Sequence, residues 1–217
     1  MRRPLAQADV GPSSIPSPLF TRRVGLQGLA AGLGVALLAG CKPAKPDFKA
    51  VDVTGASYAQ GFTLTDAEGR RRSLSDFRGE LVVVFFGFTQ CPDVCPTTLA
   101  ELAEVKQLLG ADGGKLRGVF ISVDPERDTP EILRAYVGNF DPSFVALRPT
   151  PEELAEVAKA YKVYYKKVPG ATPDGYTMDH TAGSYVYDTH GKLRLFTRYG
   201  SGSQALADDL KILLGEG

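Results

Sequence analysis

The sequence has little of several residue types that mark particular classes of protein. Its 217 residues carry no formal net charge, and no Lys/Arg run longer than the three arginines at 70–72 lies downstream of the N-terminus, which argues against a nucleic-acid-binding surface. Met178 is the only methionine besides Met1, which excludes a methionine-rich metal-binding tract. Residues 51–217 contain no long Pro/Ser or Gly/Ser tract and no internal repeat. The composition that is left is typical of one globular domain. Its three cysteines and two histidines are the candidates for redox chemistry or metal binding.

The first 40 residues have the composition of an export signal. Arg22 and Arg23 precede a short apolar stretch that ends in Leu38-Ala39-Gly40-Cys41. This tetrapeptide resembles the lipobox of bacterial lipoproteins, in which the signal is cut before the cysteine and the cysteine carries acyl chains. Residues 1–40 are therefore predicted to be a lipoprotein signal and Cys41 the lipid attachment site, with an uncleaved transmembrane anchor as the alternative. The arginine pair leaves twin-arginine and general secretory export both open.

The next segment, residues 41–57, contains two prolines and few apolar side chains and is predicted to be a linker. Residues 58–217 are predicted to form the folded domain. A lipid anchor would place this domain on the outer (periplasmic) face of the bacterial cytoplasmic membrane. Disulfides persist in that compartment, so thiols there need a reason to stay reduced.

The pattern of residues 58–217 predicts an α/β fold. The run Leu81–Phe86 has no polar side, which is typical of a strand covered on both faces. Thr150 and Glu153 have the spacing of a capping box at a helix start. We expect a mixed central sheet flanked by helices, with an N-terminal β-hairpin. The predicted strands are 62–65, 70–74, 81–86, 118–123, 144–147, 183–188 and 192–199, and the predicted helices are 96–109, 129–139, 150–161 and 203–214.

Two cysteines, Cys91 and Cys95, directly follow the strand at 81–86. Pro96 fits the first position of a helix, so Cys95 is predicted at the helix cap and Cys91 in the loop before it. A helix N-terminus lowers thiol pKa, and two such thiols can form a disulfide, exchange with another disulfide or bind a soft metal ion. So short a loop gains little from a structural disulfide. Thioredoxin-type exchange usually has two intervening residues, whereas this pair has three.

A third ligand would favour the metal, and His180 is the candidate. It precedes a predicted strand, whereas His190 lies in a predicted turn and is expected to be solvated. Two thiolates and an imidazole suit copper, while a structural zinc site would want a fourth ligand. Met178 is expected to pack in the core rather than to serve as a weak axial ligand.

Two carboxylates are expected beside these ligands. Asp124 follows the strand at 118–123, at the end where open α/β sheets place their ligands. Asp93 lies between the two cysteines. Both are predicted to contact and orient the metal-ligating side chains without binding the metal themselves, and Asp124 is also a candidate transient ligand. Asp128 is expected to serve, with Thr129, at the start of the following helix.

Three separated motifs together resemble one family. They are Phe88-Thr89-Gln90-Cys91-Pro92-Asp93-Val94-Cys95-Pro96, Val123-Asp124-Pro125-Glu126-Arg127-Asp128-Thr129-Pro130 and Asp179-His180-Thr181. In order and spacing they resemble the signatures of the SCO/SenC family, over about residues 55–215. A strand that ends in a cysteine pair at a helix N-terminus is also the arrangement of thioredoxin-like folds.

The resemblance implies a function. It implies a thioredoxin-like fold that binds copper, as Cu(I) or Cu(II), through Cys91, Cys95 and His180. It further implies delivery of copper to the binuclear Cu-A centre of cytochrome c oxidase subunit II, with other copper carriers or thiol reductants as partners. The alternative is a thiol–disulfide oxidoreductase that reduces the Cu-A cysteines or other extracytoplasmic thiols with Cys91 and Cys95 as its redox-active pair. A peroxidase-like activity is disfavoured by the paired cysteines with a histidine.

Overall fold

The computed structural model describes residues 46–170 and 175–216. The predicted signal, residues 1–40, and the predicted lipid attachment site Cys41 lie outside the described residues. The strands are β1 (Val51–Asp52), β2 (Thr63–Thr65), β3 (Arg71–Ser73), β4 (Leu81–Gly87), β5 (Leu116–Ser122), β6 (Val145–Leu147), β7 (Tyr165–Pro169), β8 (Tyr176–His180), β9 (Gly183–Tyr187) and β10 (Leu193–Arg198). The helices are α1 (Val94–Leu108), α2 (Pro130–Gly138), α3 (Pro151–Tyr161) and α4 (Ser203–Gly215), and two 3-10 turns lie at Leu74–Phe77 and Gly110–Lys115.

The centre of the domain is a six-stranded mixed sheet with the strand order β1-β10-β9-β4-β5-β6. Strands β4, β5 and β6 run parallel, and β9 pairs antiparallel with β4. Strands β10 and β1 continue the antiparallel half. The predicted mixed α/β sheet is therefore confirmed.

Strand β4 lies in the middle of the sheet and is buried along its whole length. Val84 and Phe86 pack on one face in a cluster with the apolar side of α3. Val83 and Phe85 pack on the other face with α1, α2 and α4. This burial on both faces explains why the run has no polar side.

Most predicted elements are present with small shifts at their ends. Thr150 caps α3 in a capping box with Glu153, as predicted. Thr129 caps α2 through its hydroxyl, which accepts a hydrogen bond from the backbone N–H of Ile132. The predicted N-terminal hairpin is β2–β3. The turn between β9 and β10 holds an exposed His190, as predicted.

The folded unit extends N-terminally of residue 58 and includes the described part of the predicted linker, from Pro46 onward. Within the predicted linker, β1 pairs with β10 at the sheet edge. The backbone N–H groups of Lys49 and Ala50 each donate a 2.8 Å hydrogen bond to the buried carboxylate of Asp209 on α4. Backbone and carboxylate contacts of this kind leave no apolar pattern in the sequence, which is why the segment reads as a linker.

The hairpin β7–β8 is absent from the predicted elements. Within the described residues, its two strands pair only with each other and form a separate two-stranded sheet. Exposed lysines and Pro169 interrupt the alternation expected of a strand in β7. His180 precedes the strand β9, as expected, and is itself the last residue of β8.

Candidate metal centre

The cysteine pair lies where β4 leaves the sheet and α1 begins. Asp93 is the N-cap of α1 and Val94 its first residue, so Cys95 lies inside the first helical turn and Cys91 in the preceding loop. The predicted cap at Cys95 is therefore wrong by two positions. Pro96 is tolerated at the third helical position because backbone N–H groups in the first turn have no intrahelical partner to lose.

Cys95 is fully buried against the end of β4. A Cβ atom built on Gly87 would lie 2.7 Å from the Cys95 sulfur and 2.8 Å from a ring carbon of Phe120. Such distances are too short for real contacts, so only glycine lets the helix bring this thiol onto the sheet.

His180 reaches the same point from β8. Its Nε2 lies 3.6 Å from the Cys95 sulfur, and the three ligand atoms of Cys91, Cys95 and His180 all lie within 4.8 Å of one another. The ring Nδ1 lies 3.1 Å from the carbonyl oxygen of Thr181. Because a carbonyl can only accept, Nδ1 donates to Thr181, and Nε2 is the ring nitrogen that faces the thiols. Phe88 packs edge-on against the ring, at 5.9 Å between centroids, and fixes its tilt.

The two thiols differ sharply in acidity. The pKa of Cys91 falls from 9.0 to about 5, first because the Cys95 thiol donates a hydrogen bond to it. Burial opposes this fall, and the backbone N–H groups of Asp93 and Cys95 together with His180 reinforce it. The same hydrogen bond and burial raise the pKa of Cys95 far above its usual range. The half-buried Cys91 is therefore a thiolate at neutral pH, and Cys95 is a buried thiol.

The carboxylates of Asp124 and Asp93, predicted beside the ligands, bind other side chains and not the three ligands. Asp124 is buried, accepts a 2.8 Å hydrogen bond from the hydroxyl of Tyr176 and forms an ion pair with Arg127. The exposed carboxylate of Asp93 accepts a 3.2 Å hydrogen bond from the hydroxyl of Tyr199. Asp93 acts on Cys91 through its backbone N–H instead. Both residues border the site, but their carboxylates are not in the three-residue cluster.

Asp128 supports the site more directly than its expected capping role suggests. This fully buried carboxylate accepts hydrogen bonds from the Thr89 hydroxyl at 2.6 Å, the Thr89 N–H at 3.2 Å and the Ser122 hydroxyl at 2.5 Å. Burial raises the pKa of Asp128, and these hydrogen bonds oppose the rise. Asp128 thus holds the loop before Cys91 against the end of β5. In the sequence, only the position of Asp128 within the second motif indicates this supporting role, because a sequence does not show which carboxylate is buried.

The side chains present suit copper. Two sulfur donors and an imidazole with a free Nε2 are the soft and borderline ligands that copper prefers. The backbone carbonyl behind Nδ1 is the usual support of a metal-binding histidine. Met178 is buried among core residues two positions before His180, which agrees with the expected packing role.

Within residues 46–170 and 175–216, no helix is long and apolar enough to cross a bilayer.

Comparison with known proteins gives concordant matches. The SCO1/SenC family description matches residues 51–215. The mitochondrial protein SCO2 homolog of Bos taurus is 37% identical over 200 residues, which cover 88% of this chain and 74% of that protein.

Two solved structures have the same fold with copper bound. ScoI of Bradyrhizobium japonicum is 43% identical with a TM-score of 0.63, covering 70% of this chain and 97% of that one. ScoI of Arabidopsis thaliana is 32% identical with a TM-score of 0.67, covering 72% of this chain and 98% of that one. The thioredoxin-like fold expected from the cysteine motif is confirmed by these neighbours. The chain belongs to the SCO1/SenC family.

Proposed function

We propose that this protein is a copper-binding assembly factor that delivers copper to the Cu-A centre of cytochrome c oxidase subunit II. The observation that carries the proposal is the convergence of Cys91, Cys95 and His180, whose ligand atoms lie within 4.8 Å of one another. Relatives with 43% and 32% identity are known with copper bound, which supports the same cargo here. Family membership supports the role in oxidase assembly.

The chain's own residues divide the work of loading and release. Cys91 is already a thiolate at neutral pH and is partly exposed, so it meets incoming copper first. Cys95 is protonated in the free protein and must release its proton when it binds, so loading is coupled to proton release. Nε2 of His180 supplies a neutral donor that Cu(II) favours, whereas two thiolates suffice for Cu(I). Release to an acceptor occurs by exchange of ligands at the exposed Cys91 side.

Copper titration of the full chain tests this assignment. We expect Cys91→Ala and Cys95→Ala to abolish stoichiometric Cu(I) binding, and His180→Ala to remove the thiolate-to-Cu(II) charge-transfer absorption. His190→Ala is the matched control, because it removes the only other histidine and should leave both signals intact. Wild-type copper affinity in all three site variants would refute the metal site. Metallation of the Cu-A domain of subunit II by copper-loaded protein then tests delivery.

A thiol–disulfide oxidoreductase is the second candidate, and the split in thiol acidity favours it. The Cys91 thiolate would attack a target disulfide and form a mixed disulfide, releasing one target thiolate. The Cys95 sulfur would then attack Cys91, leaving an oxidised pair here and two reduced thiols on the target. The Cys95 proton passes to the departing thiolate. This chemistry needs no histidine, so target reduction that persists in His180→Ala without any copper requirement favours it over copper delivery.

The site of action follows from the predicted anchor. We propose that Cys41 is acylated and holds the domain on the periplasmic face of the cytoplasmic membrane. Mass spectrometry of the mature N-terminus should show an acylated Cys41, and Cys41→Ala should leave the protein unprocessed. An intact N-terminus in the wild-type protein would favour the transmembrane alternative.

A further inference from the structure

Arg127 connects the two halves of the metal centre. Its Nη1 donates to the side-chain oxygen of Gln90 at 3.0 Å and to the backbone carbonyl of Tyr176 at 2.9 Å. Gln90 directly precedes Cys91, and Tyr176 begins the strand that ends in His180. One guanidinium nitrogen therefore joins the thiol loop to the histidine strand.

The aromatic rings around this guanidinium strengthen the connection. The Arg127 group stacks 3.5 Å from the centre of the Tyr176 ring and lies 5.9 Å from the Phe88 ring. Phe88 in turn packs against the imidazole of His180. The planar guanidinium thus contacts the side chain that sets the tilt of the histidine as well as the strand that carries it.

The position of Arg127 is itself fixed by a buried carboxylate. Its Nε forms the ion pair with Asp124, and Asp124 also accepts the hydrogen bond of the Tyr176 hydroxyl. Nη2 is buried and has no hydrogen-bond partner among the described residues. The buried carboxylate of Asp124 thus holds the guanidinium against the Tyr176 ring.

We propose that Arg127 is a positioning residue that holds His180 at the thiols and thereby decides whether the site retains Cu(II) as well as Cu(I). This inference rests on the proposed copper-binding function. Cu(I) is satisfied by two thiolates, which the loop after β4 and the first turn of α1 already hold together. Cu(II) needs the imidazole as well, and the imidazole belongs to a hairpin outside the central sheet. Weakening the bridge should therefore affect the two oxidation states unequally.

Arg127→Lys in the full chain is the sharpest test. Lysine keeps a cation beside Asp124, which protects folding, but its single ammonium cannot also join Gln90 to Tyr176. We expect Cu(II) affinity to fall about 10- to 100-fold, the usual effect of losing a support behind a metal ligand. Cu(I) affinity, measured by competition with a chromogenic chelator, should fall much less. Arg127→Gln should show the same pattern more strongly.

Lys166→Gln is the matched control. Lys166 is an exposed residue of the same hairpin, and its side chain has no hydrogen bond or ion pair among the described residues. We expect no change in either affinity, because exposed side chains without such contacts contribute little. An equal loss of Cu(I) and Cu(II) in Arg127→Lys, or no loss of either, would overturn the proposal.

Amide hydrogen exchange of the copper-free proteins gives a readout that does not depend on copper. Arg127→Lys should speed exchange in Tyr176–His180 but not in α1, and Lys166→Gln should change neither. Unchanged exchange in the hairpin would overturn the positioning role even if copper binding changed. If wild-type protein bound no copper, the proposed function would fail, and the exchange comparison would still decide whether Arg127 holds the hairpin.

Discussion

Cys91 and Cys95 are supported by the central sheet, whereas His180 is supported by a hairpin outside it. The cysteines follow β4, which is buried on both faces, and Cys95 itself is fully buried. His180 ends β8, which in the described part of the chain pairs only with β7. The thiol half is thus part of the core, and the histidine half depends on side-chain contacts with neighbouring loops.

This difference separates stability from metal specificity. Changes under the thiols should damage the fold and copper binding together, because the same packing supports both. Changes at the hairpin should alter the presentation of His180 while the core stays intact. A carrier that must hold and then release its cargo can use such an arrangement, because one ligand can leave while two remain in place.

Gly87→Val should have the largest effect on the thiol half. Its side chain would overlap the Cys95 sulfur and the Phe120 ring, which lie 2.7 and 2.8 Å from the Cβ position. We expect a loss of about 1–3 kcal/mol in the free energy of unfolding, the usual cost of overpacking a core. Urea denaturation measures this loss, and Cu(I) affinity should fall with it. Gly114→Ala is the control, because nothing lies within 4 Å of its Cβ position. Unchanged stability in Gly87→Val would contradict the claim that the thiol half is built into the core.

Asp128→Asn should be nearly as damaging. The Thr89 and Ser122 hydroxyls donate to different oxygens of Asp128, and asparagine keeps only one of these two acceptor oxygens. We expect a loss of about 1–3 kcal/mol in stability, since a buried hydrogen-bonding group is left without its partner. Chemical denaturation and Cu(I) competition are the measurements.

The control for Asp128 is Asp112→Asn, which removes an exposed ion pair with Lys115. It should change stability by less than about 0.5 kcal/mol. Equal small effects of the two substitutions would show that the loop before Cys91 does not need its buried carboxylate.

The difference between the central sheet and the β7–β8 hairpin also explains which parts of the structure the sequence could predict. Leu81–Phe86 and the capping box at Thr150 are local patterns, so the central strand and α3 were predictable. The three ligands came from motif residues, and the structure brings them together. The hairpin β7–β8 was missed because its strands pair with each other and expose lysines. Arg127 was not singled out because its partners are distant in sequence, and no local pattern records a guanidinium that bridges two loops.

Tyr176→Phe should have a smaller effect, on the histidine half alone. It removes the hydroxyl that donates to Asp124 but keeps the ring that stacks on Arg127. We expect stability to fall by about 0.5–1.5 kcal/mol at most, the usual net value of one hydrogen bond. Cu(II) affinity should fall less than in Arg127→Lys, and Cu(I) affinity should not change. A fall in Cu(I) affinity as large as that for Cu(II) would mean that the hairpin also supports the thiols.

Asp93→Asn should have the smallest effect. The direction of any change in the pKa of Cys91 shows whether Asp93 acts on this thiol through its backbone N–H or through its carboxylate charge. In a Cys41→Ser background, alkylation of Cys91 should rise with pH around a midpoint near the pKa of about 5, while Cys95 stays unreactive at neutral pH because its pKa is raised. Asp93 lowers the pKa of Cys91 through its backbone N–H, which asparagine retains. The midpoint should therefore stay where it is. A nearby carboxylate would instead have raised the thiol pKa, so a midpoint that moves to lower pH in Asp93→Asn would show that the charge of Asp93 acts on the thiolate.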